Sequence, residues 1–267
     1  MDISAVILSF NSIRYIEKCL VELFASYSEL NLNGEAYVVD NGSIDGSLEK
    51  LTELQVRYGD NLKVISLGKN TGTTFSRNQA LSQCIGQHIL IMDSDAYMNA
   101  TALAGLLDKI KQHPDVGMVV PKLTYPDGRP QISVDKFPTL THKIKRFFFL
   151  KNMESQSTQV AEVEGYVDTA ISATWLLTRE VIEQVGLLDE KIFYSPEDID
   201  YCLRVWQAGF KILHLPQFTV VHDAQELSRG FKINKFTFLH AKGLFYFFFK
   251  HGYMFGLSRL YKRLGMK

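Results

Sequence analysis

Through the first half of the chain, short apolar runs alternate with segments whose apolar residues recur at helical spacing, the pattern of an α/β domain. Residues 5–10 read as a buried strand. Ser12 is placed to cap a helix in which Ile16, Cys19, Leu20, Leu23, Phe24 and Tyr27 recur. Further strands are predicted at 36–39, 62–67, 88–92 and 116–120, with helices over 47–58, 75–84 and from Asn99 to about residue 113. After a turn at Tyr125-Pro126-Asp127-Gly128 the pattern weakens, and the polar stretch 154–159 reads as a mobile loop. Order returns with a strand at 171–177 and a helix at 179–185. A second helix follows at 196–208, with Ser195 as N-cap and Pro196 at the first helical position. Strands at 211–215 and 219–222 close the pattern. With no internal repeat and no linker, the reading is one domain over 1–228, in two halves (1–125 and 126–228), and a helical tail over 229–267.

A chain of 267 residues with 46% hydrophobic and 22% charged side chains can bury a full core without disulfides or structural metals. Cys19, Cys84 and Cys202 are too few and too scattered for a disulfide framework or a zinc site, so a reducing, cytoplasmic compartment is expected. The N-terminus carries no basic lead or signal-like stretch, and no apolar run approaches the length that spans a bilayer.

The formal net charge of +0 conceals an asymmetry. After Glu226 there is no acidic residue, while nine lysines and arginines follow, leaving 1–226 at −9. The same tail holds eleven aromatic residues, including Phe245-Tyr246-Phe247-Phe248-Phe249, and the segment 142–151 repeats the mixture. Basic groups beside rings suit an anionic membrane surface. The alternatives are a helical pair packed on the core with its lysines solvated, or a subunit interface in a homodimer. Nucleic acid is disfavoured because the acidic remainder would repel it.

In an open α/β sheet, ligands bind beyond the carboxyl ends of the strands. There stand Ser9-Phe10-Asn11, Asp40-Asn41, Gly68-Lys69-Asn70 and Asp93-Ser94-Asp95. Asp93 and Asp95 alternate along an extended segment, so one is expected to face a nucleotide and the other a hard cation such as Mg²⁺ or Mn²⁺. The plain alternative is a solvated turn before the next helix. Glu197 and Asp198 at a helix start would by themselves read as capping charges, and Asp200 as structural. A lone histidine such as His222 is more often a hydrogen-bonding residue than a ligand, and gains interest only if the fold brings it to Asp95. The loop 68–74 lacks the ending of a P-loop and the glycine spacing of a dinucleotide fingerprint.

Taken in order, Val6-Ile7-Leu8-Ser9-Phe10-Asn11, Val38-Val39-Asp40-Asn41-Gly42-Ser43, Asn70-Thr71-Gly72, Arg77-Asn78 and Ile91-Met92-Asp93-Ser94-Asp95 form an ordered set. Gly186-Leu187-Leu188-Asp189-Glu190, the run from Phe193 to Arg204 and Ala208-Gly209 extend it over about residues 3–228. The set resembles the inverting family 2 glycosyltransferases of the GT-A fold, particularly their bacterial rhamnosyltransferase-like branch.

The resemblance implies a nucleotide-sugar-binding first half and an acceptor-binding second half. Asp40 and Asp93 would contact the base and ribose of the donor, with Phe10, Asn11 and Ser94 lining the same site and Arg77 supporting the nucleotide or its diphosphate. Asp95 would bind a divalent metal, Mn²⁺ or Mg²⁺, with His222 as a further metal or diphosphate contact and Ser228 in the same stretch. Asp198 would be the general base and Glu197 would orient the acceptor or that base, with Asp168 on the acceptor side. The acceptor would be a glycan or a lipid-linked saccharide at the cytoplasmic face of the membrane. Departures fall at Ser172-Ala173, where relatives often have Gly-Ala, and at Thr169, where an aromatic residue is common. Rival readings are a non-catalytic nucleotide-sugar-binding or membrane-scaffold protein of the same fold, and a sugar-phosphate nucleotidyltransferase, whose Gly-rich phosphate loop is missing from 9–14.

Overall fold

The structure is a computed structural model that describes residues 1–141, 162–224 and 235–266; the expected loop at 154–159, the basic-aromatic stretch 142–151 and Ser228 lie outside the described residues. Strands β1 (Ile3–Ser9), β2 (Gly34–Asp40), β3 (Leu62–Ser66) and β4 (His88–Asp93) are followed by the two-residue β5 (Ala96–Tyr97) and by β6 (Val116–Thr124). The short pieces β7 (Pro130–Gln131), β8 (Val134–Asp135), β9 (Gly165–Tyr166) and β10 (Thr169–Ala170) precede β11 (Thr174–Thr178) and the long β12 (Lys211–His222). The helices are α1 (Ile16–Glu29), α2 (Ser47–Tyr58), α3 (Thr73–Leu81), α4 (Ala100–Gln112), α5 (Arg179–Val185), α6 (Glu197–Gln207), α7 (Lys235–His251) and α8 (Ser258–Leu264).

The main sheet runs β3-β2-β1-β4-β11-β6-β12-β5. Its first four strands are parallel, β11 is antiparallel to both neighbours, and β12 is parallel to β6. Alternation along β1 sends Ile3, Ala5 and Ile7 into a core shared with Leu20, Leu23, Leu51, Leu103 and Leu106. Val6 points the other way, into a core with Trp175, Val181, Tyr201 and Phe247. Both faces are therefore covered by helices, the condition that turns parallel strands into near-continuous apolar runs.

The chain departs from β1 toward β2 on one side and returns as β4 on the other, a topological switch point. Register then aligns the strand ends: Ser9 pairs with Asp40, and Leu8 with Asp93. Three short polar segments thus meet along one rim.

Several local expectations are corrected. Ser12 does not cap α1, which begins four residues later; its hydroxyl pairs with that of Ser9 at 2.6 Å, while its carbonyl accepts the Tyr15 and Ile16 amides. Ser195 is not the cap of α6 either: Pro196 occupies that position, and the Ser195 hydroxyl meets His240 Nδ1 at 2.9 Å. The two predicted segments 211–215 and 219–222 are one strand with an irregularity between Leu215 and Thr219. Asn99 does cap α4, its Oδ1 accepting the Ala102 amide at 2.9 Å.

The C-terminal helices pack on the second core through Phe247, Phe248 and Leu260, all buried. Lys250 is not solvated; its Nζ donates to Asp189 at 2.6 Å and to Asp200 at 2.7 Å. Asp200 is structural, as expected, accepting also from His251 Nε2 at 2.8 Å and Arg204 Nε at 3.0 Å.

Candidate active site at the strand-end rim

Strand β4 ends at Asp93, and the chain turns before β5 begins at Ala96. That turn defeats the simple alternation expected for Asp93 and Asp95. Instead of pointing apart, each contributes a carboxylate oxygen to a group with His222, the three ligand atoms lying within 4.8 Å of one another. His222 arrives because β12 pairs antiparallel with β5, setting His222 opposite Ala96. Its Nε2 is 3.3 Å from Asp95 Oδ1 and 3.8 Å from Asp93 Oδ2.

The other ring nitrogen, Nδ1, lies 2.6 Å from Gln131 Oε1. Gln131 was not foreseen: it sits where the sequence pattern weakens, and nothing in its neighbourhood marks it. An Nδ1–H donated to that amide oxygen turns the Nε2 lone pair toward the carboxylates, the arrangement that fixes a metal-binding histidine. Burial opposes charge on His222, but the Asp95 hydrogen bond and the Asp93 charge outweigh it and hold its pKa above the ordinary value.

Asp93 also connects the metal-type cluster to a second carboxylate pair. Arg77, fully enclosed on α3, reaches Asp93 Oδ1 with Nη2 at 2.5 Å. Its Nη1 donates to Ser172 Oγ at 2.7 Å and stands 3.9 Å from Glu197 Oε1. Ser172 in turn donates to Glu197 Oε1 at 3.3 Å. The departure noted at Ser172 is therefore a connecting residue, held beside Asp93 because the Asp93 amide donates to Ala173 O at 3.1 Å. Arg77 was expected to support the nucleotide or its diphosphate; it is enclosed and bonded to Asp93 and Ser172.

Burial raises the pKa of Asp93, against the pull of Arg77 and with a further push from Asp95. Glu197 is pushed up to about 8, by burial first and then by the adjacent Asp198 charge, with Arg77 opposing. A buried Glu197 thus keeps its proton at neutral pH, while Asp198 beside it is half-buried, with Oδ1 accepting the Ile199 amide at 2.8 Å. The two neighbours at the start of α6 are differentiated by environment.

On the other flank, Asp40 is buried at the end of β2, with Oδ2 accepting the Gly42 and Ser43 amides, both at 3.2 Å. Its Oδ1 is buried without a hydrogen-bond partner among the described residues. Phe10 stands exposed at the end of β1, and Asn11, at φ 51°, braces the 43–44 turn by accepting the Ile44 amide at 2.9 Å. Ser94 is buried between the two aspartates. Gly72, at φ +86°, lets its loop dock on the segment before α6: a Cβ there would lie 2.3 Å from Phe193 O, and the Thr73 amide donates to that oxygen at 2.7 Å.

Asp168 is tied into the fold at the end of the chain. Its Oδ2 accepts the Phe137 amide at 2.9 Å and the Tyr261 hydroxyl at 2.5 Å, fastening α8 to the corner before β10. Burial raises its pKa despite those bonds.

Among known proteins, the sequence model of Glycosyl transferase family 2 matches residues 4–186. The N-acetylglucosaminyl-diphospho-decaprenol L-rhamnosyltransferase of Mycobacterium tuberculosis (strain CDC 1551 / Oshkosh) is 24% identical over 203 residues, covering 69% of this chain and 65% of that protein. The poly(ribitol-phosphate) beta-N-acetylglucosaminyltransferase TarS of Staphylococcus aureus (strain Mu50 / ATCC 700699) is 33% identical over 236 residues, covering 77% of this chain and 40% of the relative. The chain therefore spans less than two thirds of either relative's length. Among solved structures, the mannosyltransferase PcManGT from Pyrobaculum calidifontis, in complex with GDP-Man and Mn²⁺, superposes with TM-score 0.63 at 19% identity, covering 93% of this chain and 63% of that one. The fold is the GT-A fold expected from the sequence.

Proposed function

Since the chain belongs to glycosyl transferase family 2, in its rhamnosyltransferase-like branch, we propose that it transfers a sugar, with inversion, from a nucleoside-diphosphate sugar to a hydroxyl of a glycan or lipid-linked saccharide. The observation that carries this reading is the grouping of Asp93, Asp95 and His222 and its link, through Arg77 and Ser172, to Glu197, the residue before Asp198.

Two carboxylates and an imidazole make a donor set suited to Mn²⁺ or Mg²⁺, and Asp93, Asp95 and His222 would hold the ion. Bound there, the ion supplies neutralisation of the charge developing on the departing diphosphate. The unpartnered Asp40 Oδ1 offers a buried acceptor to a base N–H, and the exposed Phe10 ring a flat apolar wall beside it. Asn11 shapes the adjoining turn, and Ser94 spaces the two aspartates. Asp198 takes the acceptor hydroxyl proton as that oxygen bonds to the anomeric carbon and the carbon–oxygen bond to the diphosphate breaks. One displacement inverts the centre, so one base suffices, unlike the carboxylate pair of a glycoside hydrolase. Glu197, holding its proton, stands next to Asp198 at the start of α6 and positions it. The relatives' names, a decaprenol-linked saccharide and a poly(ribitol-phosphate), support a lipid-linked or polymeric acceptor in cell-surface glycan synthesis. The three isolated, buried thiols agree with a cytoplasmic-side location.

The test is a Mn²⁺-dependent screen of UDP-, GDP- and dTDP-sugars for donor hydrolysis and for transfer to lipid-linked saccharides. At least one donor is expected to turn over and to lose turnover with chelator. Donor binding without any turnover across the panel would instead identify a non-catalytic binder of the same fold.

A further inference from the structure

Helix α7 has two apolar faces. Phe247 and Phe248 are buried against the second core, whereas Phe249 is 89% exposed and Phe245 59% exposed. Residues four apart share a helix face, so these two rings stand together, one turn apart, with the exposed Lys242 a turn further back. The connection to α8 adds Phe255, 67% exposed, and α8 adds exposed Arg259 and Lys262. Solvated helices do not ordinarily present large rings in this way. The charges carried by α7, α8 and their connection have a single sign, since no acidic residue follows Glu226, while residues 1–226 carry a net −9. The acidic body of a second copy would suit this basic face through charge, but the face also carries three exposed phenyl rings. An anionic bilayer meets both requirements, taking rings at headgroup depth and pairing phosphates with lysines and arginines. Among the described residues no helix is long and apolar enough to cross a membrane, so the contact is with the surface.

The opposite side of the same helix is fastened to the catalytic first turn of α6. Gly243 permits the closest approach: a Cβ there would lie 2.2 Å from Ser195 O, two residues before Glu197. His240 meets the Ser195 hydroxyl, and Lys250 and His251 clasp Asp200. One helix thus separates the outward rings from the segment bearing Asp198, a thickness of about 10 Å.

We infer that Phe245, Phe249 and Phe255, with Lys242, Arg259 and Lys262, form a docking face for an anionic membrane surface, which sets the rim beside the plane where a lipid-linked acceptor presents its hydroxyl. Only that last clause rests on the proposed transferase reading; the docking itself is measured without substrate.

The experiment is flotation of the full chain with phosphatidylcholine vesicles, with and without about one third phosphatidylglycerol, at low and high salt. The wild-type chain is expected to float with anionic vesicles only, and less at high salt. Phe245→Ser/Phe249→Ser and, separately, Lys242→Glu/Lys262→Glu should each lower the bound fraction about tenfold or more, since each basic group near such a surface contributes roughly fivefold. All four side chains are exposed, so thermal unfolding should stay unchanged and certify the fold. Equal flotation of wild type and both double variants, or none with anionic vesicles, overturns the proposal. So does a concentration-dependent dimer in light scattering that Phe245→Ser/Phe249→Ser abolishes, which would assign the face to a second copy.

Discussion

Arg77 and Asp93 stand 2.5 Å apart, guanidinium nitrogen to carboxylate oxygen, with the arginine enclosed and the aspartate one-third exposed. Sixteen residues apart in the chain, they are brought together by β4 and α3, and Ser172 extends the link to Glu197. The rim is therefore one electrostatic unit in which an enclosed cation holds carboxylates that would otherwise repel.

Removing that cation should be costly. Arg77→Met leaves Asp93 without its counter-charge and Ser172 without its donor, and a loss of about 3–5 kcal/mol is expected from the urea midpoint. Arg77→Lys keeps the charge but not the forked geometry that serves Ser172 and Asp93 together, so an intermediate loss is expected. A Met variant as stable as the wild type would show that the pair contributes nothing net.

Gln131→Leu should weaken Mn²⁺ binding by about 10–100-fold, because the imidazole loses the hydrogen bond that orients it. Calorimetric titration of Mn²⁺ in the presence of a nucleoside diphosphate reads this directly. Unchanged affinity would leave Gln131 as a packing residue.

Asp198→Asn should lower kcat by about 10²–10⁴ while donor affinity changes little, the signature of a group needed for proton transfer rather than for holding the donor. Parallel losses in kcat and in donor affinity would contradict the assignment of the base.

The carboxylates of α6 predict opposite pH effects on stability. Glu197 titrates near 8 when folded against an ordinary value of 4.5. The folded state therefore binds the extra proton between those values, and stability falls as pH rises through that window. Glu197→Gln should flatten the decline in urea midpoint between pH 5 and 9. For Asp200, burial would raise the pKa, but the His251 and Lys250 hydrogen bonds prevail and hold it below 3.8. That contribution is present above 3.8 and lost as pH falls through the folded value. Asp200→Asn should lower stability at neutral pH and make the remaining acid transition shallower. Coincident pH profiles for wild type and both variants would remove the assigned titrations.

Strand and helix periodicity, the Asn99 cap and the sites just beyond the strands were all legible in the sequence, because they depend on neighbours within one or two turns. Asp93, Asp95, Asp198 and His222 could be picked out as chemistry-bearing positions, and their ordered set pointed to the family. What lay beyond reading was which way each side chain turns. Alternation predicted that Asp93 and Asp95 point apart, but the β4–β5 turn overrides it and gathers both on His222. Asp168, identified by resemblance alone, accepts from Tyr261, a partner 93 residues away.

Local order, and the choice of candidate reactive groups, thus came from the sequence by itself, since backbone preference and apolar spacing act over short range. The tertiary structure alone decided that Gln131 aims His222, that Ser172 bridges Arg77 to Glu197, and that a basic aromatic tail is bolted by Gly243, Lys250 and His251 to the catalytic turn. Each of these is a hydrogen bond, ion pair or close approach between residues distant in the chain. Its partner is chosen by how strands register and helices pack, and no local pattern records that choice.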